Sequence, residues 1–208
     1  AILQNIMWNT WGPIQATARA VYDWDDYVID LMAAWGCITF CIAMIPFAWI
    51  MDVKGLRVTM VLSSALQFFG AALRCIPTDN NSKTTFLMHC GQFIIGIAGG
   101  IYPAALISST WFPPNQRTTS TAMSTVAGYI GSALGFIISP AFVDDIKDSN
   151  IPKVNNQYQI NSTQVKMYKT QINNLLYSEA GLQLIIFLGI VIYYPAKPKK
   201  PPSLSAAT

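Results

Sequence analysis

The sequence predicts an all-α membrane protein with six transmembrane helices, and three observations lead there. Hydrophobic residues make up 52% of the 208 and charged residues only 11%, where ordinary soluble domains carry roughly 25% charged residues. Mean hydropathy is +0.37. The apolar residues gather in runs that match the roughly 20 residues needed to cross a hydrocarbon core as helix. These runs lack the period-two alternation of barrel strands, and inside lipid only helices and closed barrels satisfy the backbone.

The spans fall at about 1–20, 26–50, 57–77, 84–111, 116–142 and 178–195. The connections are short except 143–177, a polar stretch rich in Asn and Gln. Charge orients the bundle. The turn after span two, the turn after span four and the tail carry Lys54, Arg57, Arg117, Lys197, Lys199 and Lys200 against one acid, Asp52, a balance of +5. The opposite side carries seven basic residues and nine acids, a balance of −2. Positive charge marks the cytosolic side. Two glycosylation sequons, at Asn80 and Asn161, fall on the other side, as a modified lumenal surface requires. The chain starts without Met inside an apolar run and stops at "PPSLSAAT", so we expect a piece of a longer protein.

Span one contains "WNTWGPIQ", residues 8–15. Taking Arg19 as the outer anchor, Trp11 lies about 12 Å and Trp8 about 16 Å deeper, near the middle of a core about 30 Å thick. Gln4, Trp8, Trp11, Gln15 and Arg19 follow helical spacing and share one face. Glutamine is poorly solvated by lipid, so that face turns to protein or water. Gly12 and Pro13 predict a kink. The stripe reads as one wall of a solute pathway, against plain interhelical packing. Tryptophan suits a flat or cationic ligand, through contacts worth about 0.5–2 kcal/mol.

Span five adds hydroxyls at Thr118, Thr121, Thr125 and Tyr129, with Tyr129 among glycines at 128, 131 and 135. Those glycines allow close helix approach. Span four adds Gln92 and Tyr102. Substrate-binding candidates are therefore Trp8, Trp11, Gln15, Gln92 and Tyr129. Three ionisable groups stand about one turn inside their spans: Asp30, His89 and Glu179. Each is a candidate for proton coupling, against a solvated helix end, and histidine titrates between pH 5 and 7.

Several classes are excluded. The basic residues are scattered over loops, which argues against nucleic acid. No metal-ligand spacing, cofactor motif, nucleophile motif or Gly-rich phosphate loop ending in Lys-Ser/Thr occurs, so neither enzymatic catalysis nor ATP-driven transport is predicted. The four cysteines read as small buried hydrophobes, with a Cys75–Cys90 disulfide across one lumenal loop as the alternative.

The turn "AWIMDVKGLRVTMVL", residues 48–62, resembles the signature loop of the major facilitator superfamily, through Asp52, Gly55 and Arg57. It departs from that pattern at Ala48, Val53 and Leu56. "WFPPNQRTTSTA" resembles the superfamily's linker between spans four and five, which puts Arg117 within reach of Asp52 at the cytosolic face. "WNTWGPIQATAR", "LRCIP", "GQFIIGIAGGIYPA" and "STAMSTVAGYIGSALGF" are similar to solute carrier family 49, and more to its lysosomal branch than to the feline leukemia virus receptor relatives. The resemblance implies the amino-terminal half of a twelve-helix transporter, with 196–208 opening a cytosolic linker and six further helices as partner. It further implies a lysosomal, or else plasma-membrane, transporter of a small solute: a proton-coupled pyridoxine-like exporter, or in the sister branch choline, ethanolamine or heme-linked movement. It aligns Trp8 with a substrate-touching aromatic, and Asp30 with an acid shared by relatives. A non-transporting receptor or scaffold, with the span-one stripe packed solid, is the reading from another class.

Overall fold

The computed structural model describes residues 1–78, 80–100, 104–146, 153–154, 157–158 and 160–195. In chain order it contains α1 (Ile2–Trp8), α2 (Gln15–Tyr22), α3 (Asp26–Arg74), α4 (Asn81–Gly99), α5 (Ala104–Trp111), a 3₁₀ turn (Pro114–Gln116), α6 (Arg117–Phe142), the two-residue strands β1 (Lys153–Val154) and β2 (Gln157–Tyr158), and α7 (Ser162–Tyr193). The strands pair antiparallel; the spanning architecture is entirely helical. Asp26–Arg74, Asn81–Trp111, Pro114–Phe142 and Ser162–Tyr193 are each long and apolar enough to cross a membrane. Tyr102 and the segment 196–208 lie outside the described residues.

Asp26–Arg74 holds two spans. Its 49 residues would run about 73 Å as one straight helix, over twice the hydrocarbon thickness. Gly55 divides it, at φ 77° and ψ 176°, a conformation essentially restricted to glycine. The predicted cytosolic turn is therefore a sharp reversal at one residue, with Asp52, Lys54 and Arg57 exposed beside it.

Span one departs from the expectation of a kinked but continuous helix. It is two short helices, and residues 9–14 between them are not helical. Pro13 offers no amide hydrogen to the turn before it, and Gly12 adds freedom where the chain changes direction. Span six also differs. Its helix begins at Ser162, inside the stretch expected as loop. At 32 residues it is about 48 Å long, so its polar first turns extend past the hydrocarbon. Tyr168, Ile172, Leu175 and Leu176 on one face of those turns are buried.

That face closes the main apolar core. The cluster joins Trp11, Ile14, Ala18, Val21, Tyr22 and Trp24 to Met32, Met88, Ile146 and the α7 residues. Trp24 stacks on Tyr22 at 4.9 Å and meets Trp11 edge-on at 5.3 Å. Its indole donates to Thr85 Oγ1 at 2.6 Å. Arg19 pairs with Asp26, and the Lys169 ammonium lies 5.5 Å from the Tyr22 ring centre. The second half of span one is thereby clamped against spans two, four and six.

Two close crossings hold the rest. On α3 and α4, a β-carbon at Gly70 would stand 2.8 Å from the Gly91 carbonyl oxygen. On α1 and α6, one at Gly131 would strike the Ile2 backbone, and one at Gly135 would stand 3.1 Å from Asn9 Cβ. Small residues at these points let the backbones touch. Across the second crossing, Asn9 Nδ2 donates to Ser132 Oγ at 3.3 Å, and that hydroxyl lies 3.4 Å from Asn5 Oδ1.

Candidate functional site

The break in span one creates a local problem. Ending α1 at Trp8 leaves its last carbonyls without the amides of a following turn, in a part of the molecule shielded from water. Side chains of other spans meet this need. Gln92 Nε2 on α4 donates to Met7 O at 3.4 Å and Trp8 O at 3.5 Å. Gln92 Oε1 accepts from Arg74 Nη1 at 3.1 Å. Arg74 Nη2 pairs with Glu179 Oε2 on α7 at 2.8 Å. Glu179 Oε1 accepts from Thr10 Oγ1, inside the break, at 2.7 Å. The hydroxyl has one hydrogen, and this charge-assisted contact is shorter than its 3.0 Å approach to Met7 O. The contacts close a ring from the break, through spans four, three and six, back to the break.

Every side chain in the ring is out of water: Arg74 is 1% exposed, Gln92 1%, Glu179 2% and Thr10 0%. Arg74 reaches this position because Gly91 has no side chain; a β-carbon there would collide with the arginine Cγ. The same small-residue crossing that joins α3 to α4 thus admits a cation between them. Arg74 Nε and the Oε1 of nearby Gln183 are buried without a hydrogen-bond partner. Removing one member of such a pair leaves the other charged and unpaired, at a cost of about 3–5 kcal/mol.

Trp8 stands at the end of α1 beside this ring. Its indole lies over Gly36 of α3, where a β-carbon would be 3.1 Å from Cδ2, and against Gly99 of α4, where one would collide with Cζ2. Two glycines therefore form the slot that holds the ring. Trp8 remains half-buried, and its Nε1 has no hydrogen-bond partner.

The other predicted residues are distributed differently. Because the helix breaks, Gln4, Trp8, Trp11, Gln15 and Arg19 do not form a continuous stripe. Trp11, expected on a pathway wall, is 1% exposed and belongs to the apolar core. Gln92 is likewise turned inward, its amide committed to the ring. Gln15 is half-buried at the start of α2. Tyr129 is 73% exposed on α6, while Thr121 and Thr125 donate to carbonyls of their own helix. Asp30 is exposed on α3. His89 Nδ1 accepts from Trp35 Nε1 at 2.9 Å. Glu179 is not near the end of its helix but seventeen residues inside α7. Arg117 donates to Ser109 O at 3.2 Å and Phe112 O at 3.4 Å, tying the end of α5 to the start of α6, whereas Asp52 is exposed. Both sequon asparagines cap helices. Asn80 accepts from Ser82 N at 2.9 Å at the start of α4, and Asn161 forms a capping box with Gln164 on α7. Cys75 and Cys90 are free thiols.

Arg74 was missed from sequence because it lies near the end of the predicted span 57–77, where a basic residue enters the charge balance of that side. The signal available was Gly70, one turn earlier, together with "HCGQ" in the next span.

A broken first span, a glycine-hinged reversal between spans two and three, and helices joined through small residues are features that many membrane folds share. The family model of the Major Facilitator Superfamily matches residues 1–207. The chain belongs to the major facilitator superfamily. Among individual superfamily proteins, it is 36% identical over 210 residues to a "Solute carrier family 49 member 4 homolog" of Xenopus laevis, covering 100% of this chain and 44% of that protein. A protein of the same description from Xenopus tropicalis matches at 36% over the same shares. The "Choline/ethanolamine transporter FLVCR2" of Rattus norvegicus is 26% identical over 198 residues, 94% of this chain and 33% of that protein. These agree with the resemblance drawn from the motifs. The chain spans less than half the length of these relatives. As a superfamily member it is an integral, multi-pass membrane protein.

Proposed function

We propose that the full-length protein is a secondary active transporter that moves a small organic solute by alternating access. In this reading the present chain supplies the amino-terminal helical half, and six carboxy-terminal helices supply the opposite wall. The observation that carries the proposal is the first span: broken at 9–14 and held by a buried polar ring, with the half-buried Trp8 beside it. Transporters of this kind commonly bind cargo near interrupted helices.

The solute we favour is a flat heteroaromatic of the pyridoxine type, exported from lysosomes with protons. Trp8 contributes a stacking face, with Tyr129 and Gln15 as further contacts. Asp30, exposed on α3, is the favoured proton carrier, because His89 already accepts from Trp35 and Glu179 is held by Arg74. Choline or ethanolamine is the second reading. It is favoured by relatives named as choline/ethanolamine transporters, and by the cation–π attraction that tryptophan offers a quaternary amine.

Transport by the full-length protein reconstituted in proteoliposomes separates the readings. Pyridoxine uptake that rises with a proton gradient, and loses that dependence in Asp30→Asn, supports proton-coupled vitamin export. Choline uptake indifferent to the gradient supports the second reading. No uptake of either by folded protein favours a receptor or scaffold.

A further inference from the structure

The ring around the span-one break has a consequence beyond stability. Residues 9–14 form no helix, so their conformation is fixed by side chains reaching in from other spans. Besides the Asn9–Ser132 contact with α6, two ties enter the break segment or its amino-terminal rim. Thr10 is tied to Glu179, and the Met7 and Trp8 carbonyls are tied to Gln92. Both ties lead back to the Arg74–Glu179 pair, which binds α3 to α7. A relative movement of α7 against α3 therefore pulls on the end of α1 and on Thr10 at once. Trp8 is the last residue of α1, its carbonyl is one of the tied groups, and its indole packs in the Gly36 and Gly99 slot and against the Met7, Ala71 and Ile95 cluster.

We propose that Arg74 and Glu179 are positioning residues for Trp8. Acting through Gln92 and Thr10, the ion pair sets the geometry of the span-one break, and so the angle at which the tryptophan is presented to the solute. The role of Trp8 in binding rests on the transport reading above; the control of the break by the ring does not. The arrangement has directionality that a plain ion pair lacks. Gln92 presents its oxygen to Arg74 so that its amide nitrogen faces the two carbonyls. The Arg74→Glu, Glu179→Arg double variant keeps opposite charges but reverses the requirement at Gln92, whereas the Thr10 hydroxyl can accept as well as donate. The gentler variants Thr10→Val and Gln92→Met cut one tie each and leave the ion pair intact.

Hydrogen–deuterium exchange by mass spectrometry on the full-length protein tests this without a transport substrate. Peptides covering residues 9–15 are expected to exchange about fivefold faster in Thr10→Val and Gln92→Met, with peptides from α3 and α7 unchanged. The charge-swapped variant, where it folds, is expected to show the same loose break. Unchanged exchange at 9–15 in both single variants would overturn the proposal, as would loosening spread equally over α3 and α7, which marks general destabilisation. A pyridoxine or choline uptake assay on the same variants then reads the consequence for Trp8. With a loosened break, a raised KM with little change in maximal rate supports the link to the solute. A loosened break with unaltered KM removes Trp8 from the site and leaves the control of the break standing.

Discussion

Arg74 on α3 and Glu179 on α7 lie 105 residues apart in sequence and 2.8 Å apart in space, in a pocket without water access. The pair is the point where the third and sixth spans meet the broken first span. Charges in such a place are stable only together, because the energy of the isolated ion greatly exceeds that of the paired one.

Single removal should therefore cost much more than joint removal. Glu179→Gln or Arg74→Gln is expected to lower stability by about 3–5 kcal/mol, whereas an apolar replacement of both partners should recover most of the loss. Thermal unfolding of the purified full-length protein in detergent checks this. A double variant that loses the sum of the two single losses would show that the pair does not act as a unit.

The slot for Trp8 gives a second test. Gly99→Val places atoms where the indole lies and should destabilise by about 1–3 kcal/mol through overpacking. Adding Trp8→Ala should relieve the part of that cost due to the indole, leaving the part due to the Gln4 amide, which also meets the new side chain. Melting temperatures of the two single variants and the double variant measure the coupling.

At the reversal between spans two and three, Gly55→Ala forces a β-carbon into a backbone conformation at φ 77°. No neighbouring atom lies within 4 Å of that β-carbon, so strain alone acts, at about 1–3 kcal/mol. A loss of that size on unfolding, with spectroscopically unchanged helix content, is the expected result.

The sequon at Asn161 doubles as a helix cap, so two substitutions separate its roles. Asn161→Asp keeps an oxygen that accepts the cap bond and removes the glycan acceptor. Asn161→Gln loses both. If the site is glycosylated, both variants shift the band on a denaturing gel, and only Asn161→Gln lowers stability, by about 1 kcal/mol.

Apolar run length made the spans legible, and Gly55 flanked by basic residues made the turn between spans two and three legible. Two features were not read. The extension of α7 was hidden by its Asn and Gln content, although Tyr168, Ile172, Leu175, Glu179 and Gln183 recur at three- and four-residue intervals, the period of a buried helix face. Its apolar partners are Trp11, Tyr22 and Trp24, far away in sequence. The polar ring was hidden for a different reason. Gln92 reads as a substrate contact and Glu179 as a proton carrier near a helix end, while Arg74, inside the span 57–77, enters only the charge balance, so none of them is given a buried partner. Helical spacing also overstated the span-one stripe: Pro13 ends the periodicity that placed Trp11 on the same face as Trp8.

The central claim is that Trp8, at the end of a broken first span, touches the transported solute. The most direct measurement is uptake by the full-length protein in proteoliposomes, wild type against Trp8→Ala, at matched protein orientation and amount. With pyridoxine, or choline under the second reading, Trp8→Ala is expected to raise KM about tenfold or more, in line with a lost stacking or cation–π contact of up to about 2 kcal/mol. Uptake with unchanged KM and rate in the well-folded variant would contradict the account.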